Sequence, residues 1–159
     1  MKIVVLSDTH GNFNGFENVI QNNKNADLFL HLGDGALEYF KIKEIYKTTP
    51  MFMVKGNCDF YNLPKEKKFN FNGVSLFICH GDVFNVKQGL NEYVAFAKEK
   101  KFNIVAYGHT HKRFIQKEED LCVFNPGSLT LPRTLGPSYA ILTIKDDGNF
   151  EVEIIDYWF

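Results

Sequence analysis

Five short segments of this chain place glycine beside residues that can ligate a cation or carry a proton. They are Asp8-Thr9-His10-Gly11-Asn12, Gly33-Asp34, Gly56-Asn57-Cys58-Asp59, His80-Gly81-Asp82 and Gly108-His109-Thr110-His111. Four of the five histidines fall inside them. Imidazoles and carboxylates together form mixed nitrogen and oxygen sites for borderline divalent ions such as Mn, Fe, Zn, Ni or Co. The adjacent glycines let backbone approach an ion closely. Asp8 and His10 are two residues apart, as are His109 and His111. In extended backbone such pairs project to the same side, so each pair is expected to face one ion. Seven candidate ligands (Asp8, His10, Asp34, Asn57, His80, His109 and His111) exceed what one tetrahedral ion takes. Two ions sharing a bridging carboxylate account better for that number. Two metals roughly 3.5–4 Å apart are an arrangement that hydrolyses phosphate esters.

Each segment directly follows a run that reads as a β-strand: residues 2–6, 26–32, 51–54, 74–79 and 104–107. In parallel α/β sheets, ligands bind outside the carboxyl ends of the strands. Helical spacing of apolar residues predicts helices over 13–23, 37–46 and 86–100. A hairpin is expected at Asn72-Gly73, between 69–71 and the strand at 74–79. Beyond residue 107 the pattern becomes strand-rich, with runs at 114–117, 121–124, 138–144 and 150–157 and a turn at Asp147-Gly148. Two face-to-face sheets with helices outside satisfy both halves. No linker separates them, so a single domain over 1–159 is expected.

Composition narrows the function classes. The chain has 159 residues, 45% apolar and 23% charged, as globular proteins do. No apolar run is long enough for a membrane span. Only four apolar residues follow Lys2 before Ser7, too few for a secretory leader. A net charge of −1 offers no electrostatic footprint for nucleic acid. Cys58, Cys79 and Cys122 are widely spaced, which argues against a disulfide framework or thiolate zinc site and for a reducing, cytoplasmic setting. Cys79 and Cys122 read as buried fillers, His31 as a core or supporting histidine, and Lys65 to Lys68 as a solvated face. The terminal Tyr157-Trp158-Phe159 reads as core or as a contact in a homo-oligomer.

The ordered segments resemble the calcineurin-like metallophosphoesterase superfamily, and within it the small single-domain phosphodiesterases of bacteria and archaea. The pattern D-x-H, G-D, G-N-x, H-G, G-H-x-H runs in order from Asp8 to His111. An N-P-G-S segment, Asn125 to Ser128, with Arg133 after it, matches the family's small members. The resemblance implies an α/β fold, a four-layer α/β/β/α sandwich of two mixed sheets flanked by helices. It implies one metal on Asp8, His10 and His111, a second on Asn57, His80 and His109, and Asp34 as the bridge. Asp34, Asn57 and His80 thereby belong to the catalytic set. The implied activity is a metal-dependent phosphodiesterase in which a metal-bridging hydroxide attacks phosphorus. Two divalent ions are expected, manganese first, with Ni, Zn, Fe or Co as alternatives. Larger members carry a histidine where Cys58 stands, proposed to protonate the leaving group, so Cys58, Asp59 and His31 become candidates for that proton. Asn12 and Arg133 are expected on the substrate phosphate, Arg133 because a guanidinium clamps phosphate with two bonds. The substrate expected is a small-molecule or nucleotide phosphodiester, with loops at 60–68 and 129–137 setting specificity. Two alternatives stand beside this: a phosphomonoesterase or nucleotide pyrophosphatase on the same site, or a non-catalytic scaffold like the phosphoesterase-fold subunit of retromer.

Overall fold

Ile3, Val4, Val5 and Leu6 are all fully buried, so both faces of the first strand are covered. Such a strand belongs in the middle of a sheet with layers on each side. The computed structural model, which describes residues 1–157, places it there. Strands β1 (Lys2–Leu6), β2 (Leu28–His31), β3 (Met51–Met53), β9 (Ser138–Ile144) and β10 (Phe150–Asp156) form a first sheet in the order β10-β9-β1-β2-β3. Strands β4 (Glu66–Phe71), β5 (Val74–Cys79), β6 (Ile104–Ala106), β7 (Phe114–Glu118) and β8 (Leu121–Asn125) form a second, ordered β4-β5-β6-β8-β7. Both are mixed. β1, β2 and β3 run parallel, as do β5, β6 and β8. The remaining pairs are antiparallel.

Three apolar layers hold four structural layers together. Ile3, Val5, Leu30 and Leu32 meet Leu76, Ile78, Ile104 and Phe124 between the sheets. Helices α1 (Phe13–Asn22) and α2 (Ala36–Ile45) cover the outer face of the first sheet through Phe16, Val19, Ile20, Tyr39 and Ile42. Helix α3 (Asn91–Glu99) covers the second through Tyr93 and Ala97. The result is the α/β/β/α sandwich expected. The chain's described helices include none long and apolar enough to cross a membrane. Tyr157 is buried under α1 and α2, while Trp158 and Phe159 lie outside the described residues.

Two expectations shift. The helix expected over 86–100 begins only at Asn91, and Asp82–Phe84 forms a separate 3-10 turn. Gly89, at φ 149°, breaks the helix; Val86 is buried against the same core but from a loop. Residues 65–68 are exposed, yet Glu66, Lys67 and Lys68 open the edge strand β4 and pair with Cys79, Ile78 and Phe77. Charged side chains on an edge mask the apolar alternation that marks a strand.

Candidate metal centre

Parallel strands deliver their following loops to one end of the sandwich. β1, β2 and β3 bring Asp8, His10, Asp34 and Asn57; β5 and β6 bring His80, His109 and His111. The loops are tied directly to one another. Asp8 N donates to Gly33 O at 3.0 Å and His10 N to Asp34 O at 3.1 Å. Across the second sheet, Gly108 N donates to His80 O at 3.0 Å. Five candidate ligands hold left-handed backbone: Asp8 (φ 54°), His10 (39°), Asp34 (59°), His109 (64°) and His111 (57°). Such geometry is costly for residues with a Cβ and clusters at functional sites.

The left-handed turns also correct one expectation. The pairs two residues apart are not in extended chain, and His109 and His111 do not face a common point. His111 Nε2 lies 3.2 Å from Asp8 Oδ1 and 3.3 Å from His10 Nε2. His109 Nδ1 instead faces His80 Nε2 at 3.1 Å. Around His80 Nε2 also sit Asn57 Oδ1 at 3.1 Å and Asp34 Oδ2 at 3.4 Å. Asp34 Oδ2 is 3.9 Å from His10 Nε2, so it stands between the two groups.

Hydrogen bonding fixes which atoms carry lone pairs. His111 Nδ1 is 2.8 Å from Leu131 O, and His80 Nδ1 is 2.7 Å from Leu32 O. A carbonyl only accepts, so each Nδ1 carries the hydrogen and each Nε2 turns a lone pair inward. Asp8 Oδ2 accepts from His109 N at 3.0 Å. Asp8 Oδ1 is buried with no hydrogen-bond partner. Donor atoms about 2.1 Å from one ion lie about 3.0–3.5 Å from each other. Ligand atoms of Asp8, His10 and His111, of His10, Asp34 and Cys58, and of Asp8, Asp34 and His80 lie within 4.8 Å of one another, close enough for each group to share a cation. Ring nitrogens that keep their other N–H on a backbone carbonyl are the usual arrangement of metal-ligating histidines.

Electrostatics agree. Desolvation works to raise the Asp34 carboxyl, but His80 beside it and the Cys58 amide hold it well below the usual carboxylate range. Asp8 raises His111 above the ordinary imidazole value. Burial opposes protonation of His80, but Asp34 and Asp8 raise it nonetheless. Burial and then His80 lower His109. The pocket thus attracts positive charge, and protons compete for the donors in its absence.

Side chains that ligate nothing hold the loops. Asp59 Oδ1 and Oδ2 accept from four amides: Asp34, Gly35, Ala36 and Gly56, at 2.9, 3.0, 2.9 and 2.8 Å. It is buried and fully engaged, so the proton-donor role considered for it does not fit. Asn12 caps α1 through Gly15 N at 2.8 Å and donates to Leu129 O at 3.3 Å; that occupies its side chain, against the expected phosphate contact. Arg133 meets the site through its backbone, donating to His111 O at 2.9 Å, and its side chain is exposed. Cys58 is exposed, and desolvation followed by Asp34 pushes its thiol up to about 11. It stays protonated at neutral pH but is a weak acid.

Glu38 and the Asn125–Ser128 segment carry roles that spacing alone did not indicate. Glu38 Oε1, on α2, accepts from Thr9 Oγ1 at 2.9 Å and Gly11 N at 2.5 Å. Asn125 Nδ2 donates to Gly108 O at 2.7 Å, and Ser128 Oγ to Asp8 O at 2.8 Å. All but the Thr9–Glu38 contact run side chain to backbone, which leaves no periodic signature in sequence.

His31 is buried and 3.1 Å from Thr9 Oγ1, with Gly33 N donating to its Nδ1 at 3.2 Å. Its Nε2 therefore carries the hydrogen. Burial lowers its pKa to about 4, against the pull of Asp59, Asp8 and Glu38. A histidine with a depressed folded value leaves the unfolded chain holding more protons between pH 4 and 6.5. Its contribution is complete above about pH 6.5 and is lost on acidification toward 4, roughly 3 kcal/mol in all. Urea midpoints of metal-free protein at pH 7 and 4.5 should fall accordingly, and His31→Gln should flatten that fall. Equal acid losses in both proteins would show another group responsible.

A cleft of about 260 Å³ opens beside His10 and Asp34, walled by Leu37, Cys58, Phe60 and Tyr61. A larger depression of about 780 Å³, between Lys98, Phe102 and Glu118, contains no candidate ligand.

Three comparisons place these features among known proteins. Residues 1–147 match the family model described as a calcineurin-like phosphoesterase superfamily domain. The probable metallophosphoesterase MJ0623 of Methanocaldococcus jannaschii is 32% identical over 160 residues, covering 98% of this chain and 81% of its own. Phosphodiesterase MJ0936 of the same organism is 27% identical, over 96% of this chain and 98% of its own. A solved structure of a predicted phosphoesterase from Streptococcus pneumoniae TIGR4 superposes with a TM-score of 0.83 at 28% identity, covering 98% of this chain and 88% of that one.

Proposed function

The chain belongs to the calcineurin-like phosphoesterase superfamily and is a metal-dependent phosphoester hydrolase, and from that premise we propose that it hydrolyses phosphate diesters with two divalent ions. Asp8, His10 and His111 would hold the first ion, Asn57, His80 and His109 the second, and Asp34 would be the carboxylate shared by both. The observation that carries this reading is the convergence of Asp8 Oδ1, buried without a partner, and the inward Nε2 atoms of His111 and His80. When bound, the ions would lower the pKa of water and neutralise charge on the phosphoryl oxygens.

The chain's own residues do the rest. Leu131 O and Leu32 O hold two imidazoles in the ligating tautomer. Asn57 contributes a neutral oxygen, so its ion keeps more positive charge than a carboxylate would leave it. Asp59, through four amides, fixes the Asp34 and Gly56 loops against each other. Asp59 is engaged and the Cys58 thiol is pushed up to about 11, so neither of these two described residues is a strong acid for the leaving group. Diesters of acidic alcohols or phenols are then the better substrates. Manganese is the ion of first choice, and a reducing, cytoplasmic setting accords with three free cysteines.

The test is hydrolysis of bis-p-nitrophenyl phosphate by metal-stripped protein before and after Mn²⁺ is added. Its leaving group needs no proton, so a missing acid does not hide activity. Turnover should appear only with the metal and exceed that on p-nitrophenyl phosphate. Silence with Mn²⁺, Ni²⁺ and Zn²⁺ alike would overturn the proposal, and a faster monoester would replace diesterase with monoesterase.

A further inference from the structure

The cleft that begins at His10 and Asp34 ends in an apolar wall that the metal chemistry does not use. Phe60 is 96% exposed, Leu37 51% and Tyr61 44%. Exposed aromatic clusters of this kind, set beside a site, mark where something binds. The wall is anchored. Tyr61 packs on Phe40 with ring centroids 5.0 Å apart, and Phe40 packs edge-on against Tyr39 at 5.5 Å. Tyr39 is buried and donates to Met51 O at 3.3 Å. The stack therefore continues into the core beneath α2 and holds Tyr61 in place.

The lining also shows what the wall is not built for. No lysine or arginine lines the cleft among the described residues, so a second phosphate has no partner there. Two carboxylates in it, Asp59 and Glu38, turn oxygens to backbone amides and Thr9. At about 260 Å³, the cleft falls below the ~300–1,000 Å³ of drug-sized pockets, which is room for one ring system and not for a folded partner.

Taking diester hydrolysis at the neighbouring centre as given, we infer that the Phe60–Tyr61 wall receives a planar aromatic ring carried by one ester group of the substrate. Stacking on aromatic side chains is tolerant of ring identity, because every nucleobase or aryl ring presents a π-face. The substrate class is thereby a phosphodiester with a nucleobase or aryl ring close to phosphorus, as opposed to an alkyl or polyphosphate ester.

Two measurements test this. The first compares three diesters sharing the p-nitrophenolate leaving group: thymidine 5′-(p-nitrophenyl) phosphate, bis-p-nitrophenyl phosphate and ethyl p-nitrophenyl phosphate. All three carry the p-nitrophenyl leaving group, so the comparison turns on the second ester group: in the Mn²⁺-loaded protein the esters that bear a ring there should show KM about tenfold below the ethyl ester. The double variant Phe60→Ala/Tyr61→Ala should raise KM for ring-bearing esters about tenfold more than for the ethyl ester, with kcat little altered. A preference for the nucleoside over the bis-aryl ester identifies the ring as a base, and the reverse as an aryl group. Equal losses on all three substrates, or no change, would overturn the inference while leaving the phosphodiesterase reading intact. The second measurement needs no turnover. Calorimetric titration with thymidine 5′-monophosphate and with inorganic phosphate should show tighter binding of the nucleotide, lost in the double variant. That result with catalytically silent protein would sink the phosphodiesterase reading and keep the subsite. Equal affinity for both probes, or a concentration-dependent dimer in sedimentation that the double variant abolishes, would mean that the wall serves something other than a substrate ring.

Discussion

An Asp34→Asn variant should lose at least about a thousandfold in metal-activated diester turnover, the equivalent of roughly 4 kcal/mol in the barrier. Asp34 and Asp8 are the two carboxylates among the seven candidate ligands; the others are neutral when bound. Two divalent ions carry four positive charges; without Asp34 only Asp8 offsets one of them, and about three are left for water-derived ligands and substrate. Geometry adds to this. Asp34 Oδ1 is fixed by Cys58 N at 2.8 Å, and Oδ2 lies between His80 and His10. An amide in that position either turns its NH2 toward a cation or toward the Cys58 N–H, and neither is tolerable. Turnover, bound metal per chain and the unfolding midpoint should be measured together. Residual activity within tenfold of the parent with both metals retained would show that Asp34 does not bridge.

The second large effect is on stability. Asp59→Ala should destabilise the fold by about 4 kcal/mol or more, since an unsatisfied buried N–H costs about 1–3 kcal/mol and four lose their acceptor together. Domains have about 5–15 kcal/mol in total, so the variant will sit near the threshold of folding. Asp59→Asn, which keeps one acceptor oxygen, should fall between the two. Urea denaturation of all three proteins measures the series. An Asp59→Ala protein as stable as the parent but slow in turnover would restore the proton-donor role that its position beside Cys58 had invited.

How far the sequence reached depends on the kind of signal. The strand-ends that present ligands were legible because each run of buried apolar residues stops abruptly at glycine, aspartate or histidine, as at Leu6 and Cys79. The sheet-facing side of α1 and the inner faces of both sheets follow simple apolar periods. Where charge overlies a strand, as at Glu66 to Lys68, or where a buried residue sits in a loop, as at Val86, periodicity points elsewhere. Within the site, residue types indicated donors but not their grouping. Spacing assigned His109 and His111 to one point, and left-handed backbone at both separates them. Asn12 and Asp59 are misread for a related reason: a polar side chain that caps a helix or gathers amides looks, in one dimension, like one free to meet substrate. The division of the ligands into two sets came from the family resemblance and not from spacing.

The strand order has a consequence for how the chain is made. β1 leaves the ribosome before every other described strand, yet it lies in the middle of its sheet, between β2 and β9. Its parallel neighbour follows soon, with Ile3 beside Leu28. Its other neighbour emerges after every described strand but β10, with Lys2 opposite Thr143 and Met1 N donating to Ile144 O across 143 positions. Until then the nascent chain carries a long apolar strand with one edge unpaired, the form most prone to sticking to other chains. Ser128, which props Asp8, and Leu131, which aims His111, emerge just before β9. Closure of the first sheet and completion of the ligand cradle are thus close to simultaneous events.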